Sequence, residues 1–444
     1  MNRLRTLWRN LNSSLWFVPT LMVVVALVLA YCLVILDLSM GHKWVSDYPL
    51  LFGSGADGAR GVLTAIAGSM MTVAALIFSL TLSTLAQVSS QYTPRVLRNF
   101  MSNRTNQVVL GFFVSIFVYC LFVLRTIRGA DEGNFIPSLA VTGGLVLALV
   151  SIGVLVFFIH HMASSIQAAS ILQAVTEETE AAIERLFPKK LGDAADENER
   201  AHLFTQADEL RWVPVPASTS GYVQSLDSKG LLSLAQDVEG VVRMERGVGS
   251  FVARGAALVS VARYEDGPLP LSDKLTDRLN EQFSLGSQRS VEQDVGFGLR
   301  QIVDIALKAL SPGVNDTTTS IICIDYLGTL LAQLAASNFP TPLRTDDDNR
   351  VRVVTLEPSF ASYVTTALDQ IRVSGEANVA VYLRLLTAIG TAAVRTTSPS
   401  NRLTLRLQVS YIREAAERTL TTEYERSKVH VRATEAEALL SSEQ

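Results

Sequence analysis

Between Gly61 and Gln91 the chain carries no charge, and its hydroxyls are ordered rather than scattered. Ser69, Thr72, Ser79, Ser83 and Ser90 recur on one heptad-spaced seam, with Leu76 and Ala86 in the gaps and Gln87 beside it. Thr81, Thr84, Ser89 and Gln91 are expected to widen this polar face toward the end of the stretch. Three chemistries suit such a seam. Small hydroxyl residues let helices approach closely and bond back to their own carbonyls. Uncharged hydroxyls can line a permeation path. They can also face a lipid or small-molecule pocket. A helix bathed in lipid on every side has no use for such a seam.

The element that must carry these residues is a helix. At about 1.5 Å per residue the stretch exceeds a hydrocarbon core of roughly 30 Å. It is the second of four predicted spans: about Leu15 to Leu36, Gly61 to Val88, Val108 to Leu124 and Pro137 to Ile159. Arg3, Arg5 and Arg9 precede the first span, and Arg95, Arg98 and Arg104 follow the second. This bias places the N-terminus inside, and an even number of spans returns the C-terminus to the same side. Trp8, Trp16 and Trp44 stand near the predicted interfaces. Arg95 and Arg98 read either as topology and lipid contacts or as an electrostatic collar at a cytoplasmic mouth. His160 and His161 close the fourth span and read as a polar helix end.

Composition sets wider limits. The 444 residues suffice for two or three domains, and the mean hydropathy of +0.28 is high for a soluble protein. A net charge of −4 gives no electrostatic case for nucleic acid. Cys32, Cys120 and Cys323 form neither a zinc spacing nor a disulfide framework.

Past the spans the pattern changes. Met162 to Phe187 predicts a helix continuing from the membrane, with Glu177, Glu178, Glu180 and Glu184 on its polar faces. Lys189 to Arg200 reads as a linker. Arg211 to Arg263 reads as short strands around one helix, Leu231 to Val238, punctuated by Gly247, Gly249 and Gly255. The phrase from Gly247 to Val259 resembles barrel-sandwich hybrid domains, without the lysine hairpin that carries a prosthetic group in the carriers among them. Leu271 to Ser337 reads as helical. Arg300, Asp304 and Lys308 form a charge ladder, and Ser311-Pro312-Gly313 breaks the helix before a cap at Asn315 or Asp316. Asp346-Asp-Asp348 reads as a solvated turn. Val351 to Leu356 reads as a strand, Glu357 to Val373 and Glu376 to Val394 as helices, and Leu403 onward as one long helix.

Several phrases carry a resemblance. Gln293-Asp294, Phe297-Gly298, Asp304-Ile-Ala306 and Ala309-Leu-Ser-Pro-Gly-Val-Asn-Asp316 lie in the later half. Phe78-Ser-Leu-Thr81, Ser89-Ser-Gln-Tyr-Thr-Pro-Arg95 and Gly111 to Tyr119 lie in the spans. Together they resemble a family of predicted bacterial inner-membrane proteins with a domain of unknown function, DUF2254. Thr317 stands where the family pattern leads one to expect proline. The resemblance implies no reaction and no ligand.

The expected fold is therefore an α-helical integral membrane protein with four transmembrane helices, followed by a cytoplasmic α+β region. The expected domains are 1–162, four spans; 163–210, connecting helix and linker; 211–264, a small β module; and 265–444, a helical domain. No P-loop, GxGxxG, HExxH or GxSxG is present, and the histidines at 42, 160, 161, 202 and 430 are scattered, so no enzyme, cofactor or metal site is expected. The spacing of Asp294, Asp304, Asn315 and Asp316 offers no rigid oxygen cage. Two functions remain. One is an oligomeric inner-membrane channel for inorganic ions. Ser69, Thr72, Leu76, Ser79, Ser83, Gln87 and Ser90 would line its path, membrane lipids would surround it, and Arg95 and Arg98 would stand at its mouth. The other is a non-transporting scaffold or sensor whose cytoplasmic domain binds a partner or ligand.

Overall fold

The computed structural model describes residues 16–40, 55–91, 104–128, 135–165, 168–187, 210–264, 271–339, 342–346, 348, 350–356 and 358–441. They form two compact units, Met1–Ile171 and Leu172–Gln444. Most elements are helices, and two small sheets lie in the second unit.

The first unit holds α1 (Phe17–Met40), α2 (Ala56–Gln91), α3 (Arg104–Thr126) and α4 (Ser138–Ser165). Pro19 sits in the first turn of α1, where its missing N–H breaks no intrahelical bond. α3 is the hub and packs against the other three. Its Phe113, Ile116, Tyr119, Cys120 and Val123 are all fully buried or nearly so. Close approach to α1 depends on Gly111, where an added Cβ would stand 2.8 Å from the Pro19 backbone.

One end of this bundle is tied by polar groups. Asp37, late in α1, accepts the backbone N–H groups of Leu139 and Ala140 and so caps α4. The Arg60 guanidinium donates to the Ile127 carbonyl just past α3, 3.2 Å away. The Tyr119 hydroxyl donates to the Ala140 carbonyl at 2.7 Å. These links pair the C-terminal ends of α1 and α3 with the N-terminal ends of α4 and α2, as alternating up and down helices require.

α5 (Ala168–Leu186) follows α4 after two residues outside the described set, so the single helix expected over Met162 to Phe187 is described as two pieces. Its buried face, from Leu172 through Val175, Thr179 and Ile183, belongs to the second unit. There a five-stranded sheet runs in the order β1-β5-β3-β8-β7. Its strands are β1 (Val213–Pro216), β3 (Gly240–Met244), β5 (Ala257–Arg263), β7 (Leu343–Thr345) and β8 (Val351–Val354). All neighbours are antiparallel except β3 and β8, which pair Val242 with Val353 in parallel. A three-stranded antiparallel sheet joins β4 (Phe251–Val252), β2 (Gly221–Leu226) and β6 (Phe283–Gly286). The strands thus recruit β6, β7 and β8 from beyond residue 264. β6 also interrupts the helical reading of Leu271 to Ser337. Two helices pack with the sheets, α6 (Ser228–Asp237) and α7 (Asp273–Asn280).

The remaining helices are α8 (Val295–Ala309), α9 (Thr317–Ala335), α10 (Phe360–Ser374), α11 (Val379–Ala393), α12 (Pro399–Thr419) and α13 (Glu423–Ser441). α9 and α11 run side by side. Thr317 meets Asn378 at their starts, Asp325 pairs with Arg384 at 2.8 Å, and Gly328 lies against Ala388. The long helix expected from Leu403 to the C-terminus is instead the hairpin α12–α13. It turns at Leu420–Thr422 and is clasped by Arg413 to Glu437 and by Arg406 to the Leu440 carbonyl.

Candidate functional site

α2 has two opposed faces. Leu63, Ile66, Ala67, Met70, Ala74 and Ile77 are buried in the core of the first unit. At 3.6 residues per turn the hydroxyl seam centres on the opposite side of the helix. Ser69, Thr72, Leu76, Ser79, Ser83 and Gln87 are all exposed, Leu76 by 54%. Among the described residues, the other spans therefore leave these seam positions uncovered. A Cβ built on Gly61 or Gly68, which lie on the same side, would meet nothing within 4 Å.

Two expected members of the polar face fall elsewhere. Thr84 is buried, and Thr81 is half-buried and donates to the Ile77 carbonyl at 2.8 Å. Helical spacing turns both toward the inner face, so the seam is narrower than the sequence pattern suggests. The side chain of Ser90, and all of Arg95 and Arg98, lie outside the described residues, as do Trp8 and Trp44. Trp16 is 59% exposed at the start of α1.

Two of the seam hydroxyls bond within their own helix. Ser69 donates to the Ile66 carbonyl at 2.9 Å, and Thr72 donates to the Gly68 carbonyl at 3.0 Å. This turns the hydroxyl proton inward and leaves an oxygen lone pair outward, a geometry that suits either a passing cation or a donor on a neighbouring helix.

The acidic residues of the second unit are spread across separate structural tasks. Asp294 caps α8 through the Phe297 N–H and receives the Arg289 guanidinium in two bonds, at 2.7 and 2.9 Å. Asp304 pairs with Arg300 at 2.7 Å. Asp316 caps α9, accepting the Thr319 N–H and hydroxyl, and these bonds hold its carboxyl below the usual 3.8. Asn315, just before that cap, adopts a left-handed φ of 49°. Asp346 corrects the solvated-turn reading. Its side chain is 7% exposed and pairs with Arg352 at 2.6 Å. Burial pushes its carboxyl up, but the hydrogen bonds and charge of Arg352 outweigh this and leave it lowered. Among the described residues no three metal-binding side chains converge.

Sequence reasoning missed the work of the Gln293-Asp294-x-x-Phe-Gly phrase. The Gln293 amide holds both backbone groups of Leu226 at the end of β2. Gly249 packs against the Asp294 carboxylate, and Gly298 lets Thr179 of α5 lie directly on α8. A short polar phrase thus joins a strand, a β-turn and two helices.

Comparison with known proteins agrees with the fold. The chain belongs to the family of predicted membrane proteins DUF2254, whose model matches residues 12–391. It is 34% identical over 430 residues to uncharacterised proteins of Mycobacterium tuberculosis (strain H37Rv) and Mycobacterium bovis. The match covers 97% of this chain and 81% of each relative. No solved structure matches. Among the described residues five helices are long and apolar enough to cross a membrane: the bulk of α1 to α4, and α9. The chain is accordingly a multi-pass membrane protein with an α+β region after its first four apolar helices.

Proposed function

We propose that this protein is the protomer of an oligomeric, channel-like ion permeation protein of the bacterial inner membrane, with α2 lining the path. One observation carries the reading: the uncharged hydroxyl seam faces away from the bundle that α2 packs into. A single protomer offers one polar stripe, too little for a conduit. A closed ring of copies brings several stripes to a common axis and removes them from lipid. With no fixed charge on the stripe, the second unit would set selectivity as a vestibule.

In this reading α1 to α4 cross the membrane and both termini are cytoplasmic. α9 is a core helix of the second unit. It is the least apolar of the five and carries Asp325 in mid-course, paired with Arg384 of α11. A lipid-facing helix would have no reason to hold such a pair.

Cysteine at 72, 79 or 83 tests the path. Reaction with membrane-impermeant thiol reagents in the intact membrane is the expected result. Protection at all three positions would leave the scaffold or sensor reading, in which the seam is a packing surface.

A further inference from the structure

We propose that Leu76 is the hydrophobic gate of this path, an inference that rests on the reading of α2 above. The face in question holds the residues of α2 within roughly 60° of Thr72 on the helical wheel, from Gly58 onward. Apart from Gln87 near the end, this face is built of glycine, alanine, serine and threonine, with one exception. That exception is Leu76, exposed by 54% between Thr72 one turn before and Ser79 about one turn after. The other large exposed side chains nearby, Met71, Phe78, Leu80 and Leu82, lie farther round the helix, toward the flanks.

The position has a physical consequence in a ring. Copies of Leu76 meet at one level, with a hydroxyl ring above and another below. Hydroxyls hold water and replace part of an ion's hydration shell. Leucine methyls offer neither donor nor acceptor, so water at that level loses hydrogen bonds and the constriction dewets when narrow. Slight widening rewets it. Such a gate needs no titratable group, and none lies on this face between Gly58 and Gln87.

The test uses the full-length purified protein in phosphatidylcholine and phosphatidylglycerol vesicles, with potassium flux as the readout. The variants are Leu76→Ser, Leu76→Thr, Ser79→Trp and the double variant Leu76→Ser with Ser79→Trp. The expected result is a rise on the order of tenfold with serine or threonine, about 1.4 kcal/mol of barrier. The rise holds even where the wild type is silent. Ser79→Trp removes it, and the mass of the assembly by light scattering stays constant. Equal flux in wild type and both Leu76 variants overturns the gate and leaves the path standing. No flux in any of them overturns the path, and the gate with it. Smaller assemblies from both Leu76 variants also overturn the gate and make Leu76 a packing contact between copies.

Discussion

The side chain of Gln293 bonds both backbone groups of Leu226, as a paired strand residue would. Its Oε1 accepts the Leu226 N–H at 2.8 Å and its Nε2 donates to the Leu226 carbonyl at 3.3 Å. An amide is the side-chain group that supplies one donor and one acceptor in this pairing. Gln293→Glu keeps the shape but points a second acceptor at a carbonyl. We expect a loss of about 1–3 kcal/mol, read as a lower midpoint in denaturant unfolding of the purified protein. An unchanged midpoint would show that the bond to the carbonyl contributes nothing.

A second prediction concerns Gly249. Its φ is +86°, and an added Cβ would run into the Asp294 carboxylate and stand 2.9 Å from Arg289 Nη2. Gly249→Ala therefore combines backbone strain with displacement of a half-buried ion pair. The expected cost is about 1–3 kcal/mol, measured by thermal unfolding. Gly255→Ala supplies the comparison: its φ is similar, at +83°, but its Cβ meets nothing within 4 Å. The smaller loss belongs to Gly255.

The Asp316 cap makes a pH-dependent contribution. Bonds from the Thr319 hydroxyl and N–H favour the charged form, so the folded carboxyl titrates below its ordinary value of 3.8. A depressed folded value means the stabilisation is present above the unfolded pKa and disappears as pH falls through the folded one. Asp316→Ala should cost about 1 kcal/mol near neutral pH. The gap from wild type should close as pH drops below about 4. Parallel unfolding curves at pH 7 and in acid give the answer, and a gap that persists in acid would contradict it.

These residues also mark how far the sequence could be read. The first four apolar helices were legible because an uncharged run of that length is matched to a bilayer and is seldom needed in a water-soluble core. α9 is less apolar than these four, and it carries Asp325, paired with Arg384 of α11. The α12–α13 hairpin was hidden because Leu420-Thr-Thr422 contains neither glycine nor proline, so helical periodicity reads straight through it. The parallel pairing of β3 with β8 joins residues more than a hundred positions apart, which no local pattern encodes. Heptad spacing located the hydroxyl seam, whereas its exposure depended on which face of α2 met α3 and α4. The roles of Gln293 and Asp294 were not legible, because their partners Leu226, Arg289 and Gly249 come from other segments.

The last prediction lies in the core of the first unit. Gln107, in the second turn of α3, is 0% exposed, and neither its amide oxygen nor its nitrogen has a hydrogen-bond partner among the described residues. An unsatisfied buried amide opposes folding. Gln107→Met keeps an unbranched side chain of similar length and removes both polar atoms. The substitution should raise stability by about 1–3 kcal/mol, seen as a higher Tm in detergent. It should leave cysteine labelling of the α2 seam unchanged, because Gln107 is buried and the seam is not. A lower Tm would mean that a partner beyond the described residues, such as a group from another copy, satisfies the amide. The fall would then be larger in the assembly than in dispersed protomers, a difference that cross-linking before the melt can measure.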